Sequence, residues 1–160
     1  MSAPAPYDAD RLDWFAGWSP GIAAENRAAA RGRAALAAHT AAAAAAPEDM
    51  SAFFTDADLA ALGGSWSWLA GVAGQAMEQG DEGYLEDTLA AVRPWGFRPD
   101  AIGVPVLIAH GAADKMVPVA HGEWLAARCP TAEARIVPDA GHVTVLDSAP
   151  TALAWLAARC

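Results

Sequence analysis

The chain has 160 residues, room for one domain of ordinary size, with 54% hydrophobic and only 18% charged residues. That composition argues against a disordered polypeptide, and a formal net charge of −9 argues against a nucleic-acid surface, which needs clustered Lys and Arg. Cys129 and Cys160 are too few and too far apart for a disulfide framework or a metal site. The N-terminus lacks the basic and apolar regions of a signal peptide. The alanine-rich stretch 34–46, which contains His39 and Thr40, is too short and weakly apolar to cross a bilayer. A soluble, cytoplasmic protein is expected, with neither membrane nor nucleic acid as partner.

In chain order, residues 1–7 form an extended, Pro- and Ala-rich lead-in. Asp8 or Asp10 can cap a first helix through Trp18, with Leu12, Phe15 and Trp14 turned inward. Ser19-Pro20 opens a second helix, Ser as N-cap and Pro at the first position, expected to run to about Ala46, where Pro47 stops it. Thr55 to Asp58 starts a short helix that Gly63-Gly64 ends. Ser65 is expected to cap the next, with Trp66, Leu69, Val72, Ala73 and Ala76 on one face. After Gly80-Asp81, the residues Tyr84, Leu85, Leu89 and Val92 give the face of a further helix ending at Arg93-Pro94.

From Trp95 the pattern changes. A turn-rich connector leads to a strand at 104–109, a helix at 119–127, a second strand at 134–138 and a C-terminal helix at 149–159. Both strands are apolar on both faces, as in a covered parallel sheet, and two strands are too few to stand alone. Each strand ends in a tight Gly-containing turn with an ionisable side chain, Asp114 after the first and His142 after the second. Open α/β sheets place their chemistry at that end. Taken singly, an Asp after a strand often only caps the following turn, and Gly-His pairs are common in loops.

Together the two phrases resemble the closing portion of an α/β-hydrolase-fold enzyme. The family pattern is strand, His-Gly-x-x-Asp, Val-Pro, helix, strand and Gly-His before the last helix. Here it reads His110-Gly111-Ala112-Ala113-Asp114, Val117-Pro118, a helix over 120–128, Arg135 to Pro138, and Gly141-His142. The Val-Arg-Pro-Trp-Gly-Phe run at 92–97 is similar to the return from the family's helical cap. The resemblance implies a partial α/β-hydrolase fold, a helical cap followed by two parallel strands with flanking helices. Residues 1–98 are then the cap, or lid, with its lead-in, and 99–160 the C-terminal β-α-β-α portion of the core. It further implies hydrolysis of a small ester or amide, with Asp114 as triad acid and His142 as general base, in the family's chain order of Ser, Asp, His. No cofactor is implied.

The nucleophile is the difficulty. Gly17-Trp18-Ser19-Pro20-Gly21 fits the family's Gly-x-Ser-x-Gly pattern. However, the residue after the nucleophile must lend its N–H to the oxyanion hole, and Pro20 has none. Ser65, Ser67 and both cysteines lack a preceding strand. The serine half of the fold is therefore expected to be absent, leaving the chain inactive unless a separate N-terminal half completes it. The alternative is a non-catalytic, truncated domain that self-associates through its exposed sheet edge. Trp66, Trp68 and Trp95 are candidates to line a substrate pocket, with core packing as the competing role. His110 is expected to bond locally and His121 to lie at the surface. No His-x-x-x-His or Cys-x-x-Cys spacing suggests a metal.

Overall fold

Proline at the first position of a helix costs nothing, because its missing N–H has no intrahelical partner there. Ser19-Pro20 accordingly begins α1, Pro20–Ala30. The computed structural model describes residues 2–45, 49–78 and 80–159. The single long helix expected from Ser19 to Ala46 is two helices. Gly32 takes φ +109°, a conformation that side-chain-bearing residues avoid, and α2 follows at Arg33–Ala43. The stop expected at Ala46-Pro47 lies outside the described residues.

No helix forms over 8–18. The segment is a series of turns, and Arg11 in its middle has φ +59°, which a right-handed helix cannot contain. Tertiary bonds replace helical ones: the Trp14 indole N–H donates to Ala5 O at 2.9 Å and the Trp18 indole to Trp14 O at 2.5 Å. Trp14 makes edge-to-face contacts with Tyr7 and Phe15, each with centroids 5.2 Å apart, a favoured geometry for aromatic pairs.

α3 (Asp56–Leu62) begins with a reciprocal capping box between Thr55 and Asp58. α4 (Trp68–Met77) begins two residues later than expected. Its Ser67 N-cap makes no side-chain bond and none of its residues is buried; of the apolar face anticipated there, Trp66 and Leu69 are half-buried while Val72, Ala73 and Ala76 are exposed. α5 (Glu82–Ala91) buries Leu85 and Leu89, four apart and so on one face. These two close a core with Trp14, Ala29, Leu36 and Val92, which joins α1, α2 and α5.

The sheet contains β1 (Val106–Gly111) and β2 (Ala132–Val137), paired in parallel from Val106 opposite Ala132 to Gly111 opposite Val137. α6 (Val119–Arg128) makes the crossover and packs on both strands. β1 is buried over its last four residues, while Glu133 and Ala134 of β2 are exposed, so β2 is not apolar on both sides as expected. α7 (Ala149–Ala157) is tied to β2 by the Trp155 indole donating to Glu133 at 2.8 Å. The fold is mixed α/β, with seven helices and a two-stranded parallel sheet among the described residues, consistent with part of an α/β-hydrolase fold.

Leu36 is fully buried where α2 meets the other core helices. Leu36→Ala is expected to lower the unfolding free energy by about 2–5 kcal/mol, seen as a lower urea midpoint. A midpoint equal to that of the unaltered chain would show that this cluster does not stabilise the fold.

Candidate active site

A parallel pair in register delivers both strands to the same end, so the turns after Gly111 and Val137 emerge side by side. They are laced by backbone bonds: Ala112 N–H donates to Val137 O at 2.9 Å and Ala113 N–H to Ala140 O at 3.0 Å. That lacing brings Asp114 and His142, 28 residues apart, to 2.9 Å between Oδ2 and Nδ1. The Asp114 side chain is fully buried and the His142 side chain 32% exposed.

The second oxygen, Asp114 Oδ1, accepts the N–H groups of Met116 and Val117 at 2.8 and 2.9 Å. The carboxylate therefore caps its own turn and bonds the imidazole at the same time. Burial opposes ionisation of Asp114, but the His142 bond and charge and the Val117 N–H outweigh it and hold the carboxyl below its usual range. A carboxylate at Nδ1 fixes the proton there and leaves Nε2 as the lone-pair nitrogen. Chemically, the pair can take a proton at Nε2 and stabilise the resulting imidazolium.

Among the described residues no hydroxyl or thiol is bonded to His142 Nε2. Ser19 stands at the N-cap of α1 with turns rather than a strand before it. Its N–H donates to Lys115 O at 3.4 Å.

His110 is fully buried and its Nε2 bonds Val117 O at 2.9 Å, which fits the local role expected of it. His121 differs from expectation. It is fully buried, with Nδ1 accepting the Ala5 N–H at 3.0 Å and its ring edge-on to Trp14 and Trp18. Burial, with a smaller push from His110, lowers its pKa to about 4, so it is a neutral acceptor stitching the lead-in to α6.

Trp66 donates its indole N–H to Asp147 at 2.9 Å, in the short turn of helix Thr144–Ser148 that follows His142. Trp68, 57% exposed, leans on Trp66 with centroids 5.8 Å apart. Trp95 stacks on Phe97 at 5.3 Å and lines a different cleft with Asp87, Ala90 and Arg93. The three tryptophans thus do not form one group.

One residue at this site was not legible in the sequence. Asp58, on α3, is fully buried and its carboxylate reaches the His142 turn. Oδ2 accepts the His142 N–H at 3.1 Å, and Oδ1 accepts the Val143 N–H at 3.0 Å, the Thr144 N–H at 2.8 Å and the Thr144 hydroxyl at 2.9 Å. A Cβ at Gly141 would stand 1.8 Å from Asp58 Oδ2, so only glycine admits this carboxylate. Burial works against its charge, yet the Thr144 and Thr55 donors prevail and hold it below the usual carboxylate range.

A pimeloyl-[acyl-carrier protein] methyl ester esterase of Aromatoleum aromaticum is 40% identical to this chain over 58 residues, 36% of the chain and 23% of the esterase. The match thus spans less than a quarter of that relative's length. No family model and no solved structure matches. No helix among the described residues is long and apolar enough to cross a membrane.

Removal of the Asp58 carboxylate strands several inward-facing N–H groups, so Asp58→Ala is expected to destabilise the fold by about 3 kcal/mol or more. Both Asp58 and Asp114 have folded pKa values below the unfolded value of about 3.9, so their contribution is complete above that pH and is lost as pH falls through the lower folded values. Thermal melts should therefore show stability dropping below about pH 4, less steeply in Asp58→Ala. Parallel pH profiles for the two proteins would contradict the assignment.

Proposed function

We propose that Asp114 and His142 are the acid and general base of a serine hydrolase acting on a small carboxylic ester or amide, with the serine supplied from outside these 160 residues. The observation that carries this is the 2.9 Å bond between His142 Nδ1 and a fully buried carboxylate, formed by loops at the ends of adjacent parallel strands. The stretch shared with an enzyme named as a methyl ester esterase supports an ester as the substrate class.

In the proposed reaction His142 Nε2 takes the proton of the incoming serine as its oxygen attacks the carbonyl. The same nitrogen returns the proton to the leaving alcohol or amine, and Asp114 stabilises the imidazolium between the two steps. Trp66, Trp68 and Trp95 enter the proposal as pocket residues, Trp66 with the best support because Asp147 anchors it just beyond His142. A cytoplasmic location belongs to the same proposal.

The test is to extend the chain by the sequence encoded immediately upstream, which should supply an in-frame Gly-x-Ser-x-Gly. The extended protein should cleave a p-nitrophenyl ester, and His142→Ala should lower kcat by about 10⁴-fold or more. Full activity of His142→Ala would remove the role given to His142.

A second possibility rests on a separate observation. Trp68, Val72 and Met77 of α4, with Leu153 and Leu156 of α7, are 46–66% exposed, and the sheet has two strands among the described residues. Such surface fits a non-catalytic domain that self-associates. Sedimentation would then show a dimer or larger species in a concentration-dependent equilibrium, whereas a compact monomer at all concentrations excludes it.

A further inference from the structure

Four donors from three consecutive residues, His142 to Thr144, converge on a carboxylate that the chain contributes from a helix 84 residues earlier. The Val143 and Thr144 N–H groups open the short helix Thr144–Ser148, so the carboxylate caps that helix from outside, while the His142 N–H precedes it. Their common effect is to fix the backbone that carries the His142 imidazole. The turn is braced internally as well, since the Gly141 N–H donates to the Thr144 hydroxyl at 2.7 Å, and that hydroxyl passes its own hydrogen to Asp58. Asp58 is in turn held by the Thr55 N–H at 3.2 Å through the capping box.

We propose that Asp58 is a positioning residue, whose carboxylate holds the His142 turn so that the imidazole stays on Asp114. The helical segment that carries it thereby sets whether the base is in place. This rests on the role given above to His142, but the positioning itself can be read without turnover. Two further links run the same way. Lys115, next to Asp114, donates its ammonium to Ser51 O and Phe54 O at 2.9 and 3.1 Å, and Trp66 holds Asp147. Residues 51–66 therefore hold both the acid turn and the base turn.

Only an acceptor with two oxygens suits the site. In Asp58→Asn, either orientation of the amide sets an NH2 group against backbone N–H groups that need an acceptor. Thr144→Val removes one donor to Asp58 and leaves the Gly141 N–H without its acceptor. Thr144→Ser keeps both bonds.

The test is long-range ¹H–¹⁵N spectroscopy of the His142 imidazole in the 160-residue chain. In the unaltered protein His142 is expected in the Nδ1–H tautomer, with that hydrogen protected from solvent exchange by the buried carboxylate. Asp58→Asn should give a mixture of tautomers and exchange at least tenfold faster, Thr144→Val a smaller acceleration, and Thr144→Ser no change. Leu89→Ala, which weakens the helical core without touching the site, should leave the signal as it was. If Asp58→Asn fails to fold, Thr144→Val decides alone. An unchanged tautomer and exchange rate in every folded variant, or an equal change in Leu89→Ala, overturns the proposal. Loss of the signal in Asp58→Asn together with an active His142→Ala extended enzyme would keep the positioning and sink the hydrolase role, so the two failures are distinct.

Discussion

How closely two backbone turns can approach decides most of what this molecule can do. A Cβ at Gly111 would lie 2.3 Å from Ala140 O and 2.5 Å from Gly141 O, so any side chain there would force the turns apart. With hydrogen in that place the Ala113 N–H reaches Ala140 O, and a short carboxylate then spans the remaining gap to an imidazole. An Asp–His bond of this kind depends on sub-ångström placement, because neither side chain is long enough to compensate for a shift in its backbone. The parallel pairing of β1 and β2 brings the turns to one end, and Gly111 lets them touch.

Two of the attachments between the helical region and the β1-α6-β2 elements differ in chemistry. One is largely apolar: Trp14 packs among Tyr7, Phe15, Trp18 and the buried His121 ring, joining the lead-in to α6. His121 contributes there because burial keeps it neutral, so its Nδ1 lone pair is free to accept the Ala5 N–H. The other attachment is polar and short-ranged, through Lys115, Asp58 and Trp66. Apolar contacts tolerate small slides between elements, whereas directional hydrogen bonds do not. The polar attachment lies where the candidate catalytic residues are.

Legibility in the sequence followed the range of the interactions. The two strands and the α6 crossover were visible because β-branched runs and a helical period are local signals, and the ends shifted by about two residues, as helix and strand ends commonly do. Asp114 and His142 were found by their place after those strands. The helix expected over 8–18 did not form, because its aromatic residues are used by contacts with Ala5 and His121 that no local period encodes. The break at Gly32 was available from the glycine itself but was outweighed by the surrounding alanines. Asp58 was visible only as part of a helix start. Thr55-x-x-Asp58 announces a capping box, and nothing in that pattern says that the same carboxylate has four more donors waiting near residue 142.

The space that Gly141 leaves open is occupied by Asp58, and this has a consequence for how the chain can change over generations. A side chain cannot appear at 141 while the carboxylate is in place, and an uncharged replacement at 58 leaves the turn's N–H groups unmet. Each position thus limits the other although 83 positions of chain separate them. Divergence at this corner would have to proceed by paired replacement, through an intermediate that is poorer than either end. Among sequences descended from a common ancestor, an acidic residue at the third position of that short helix and a glycine before the histidine should be kept or lost together.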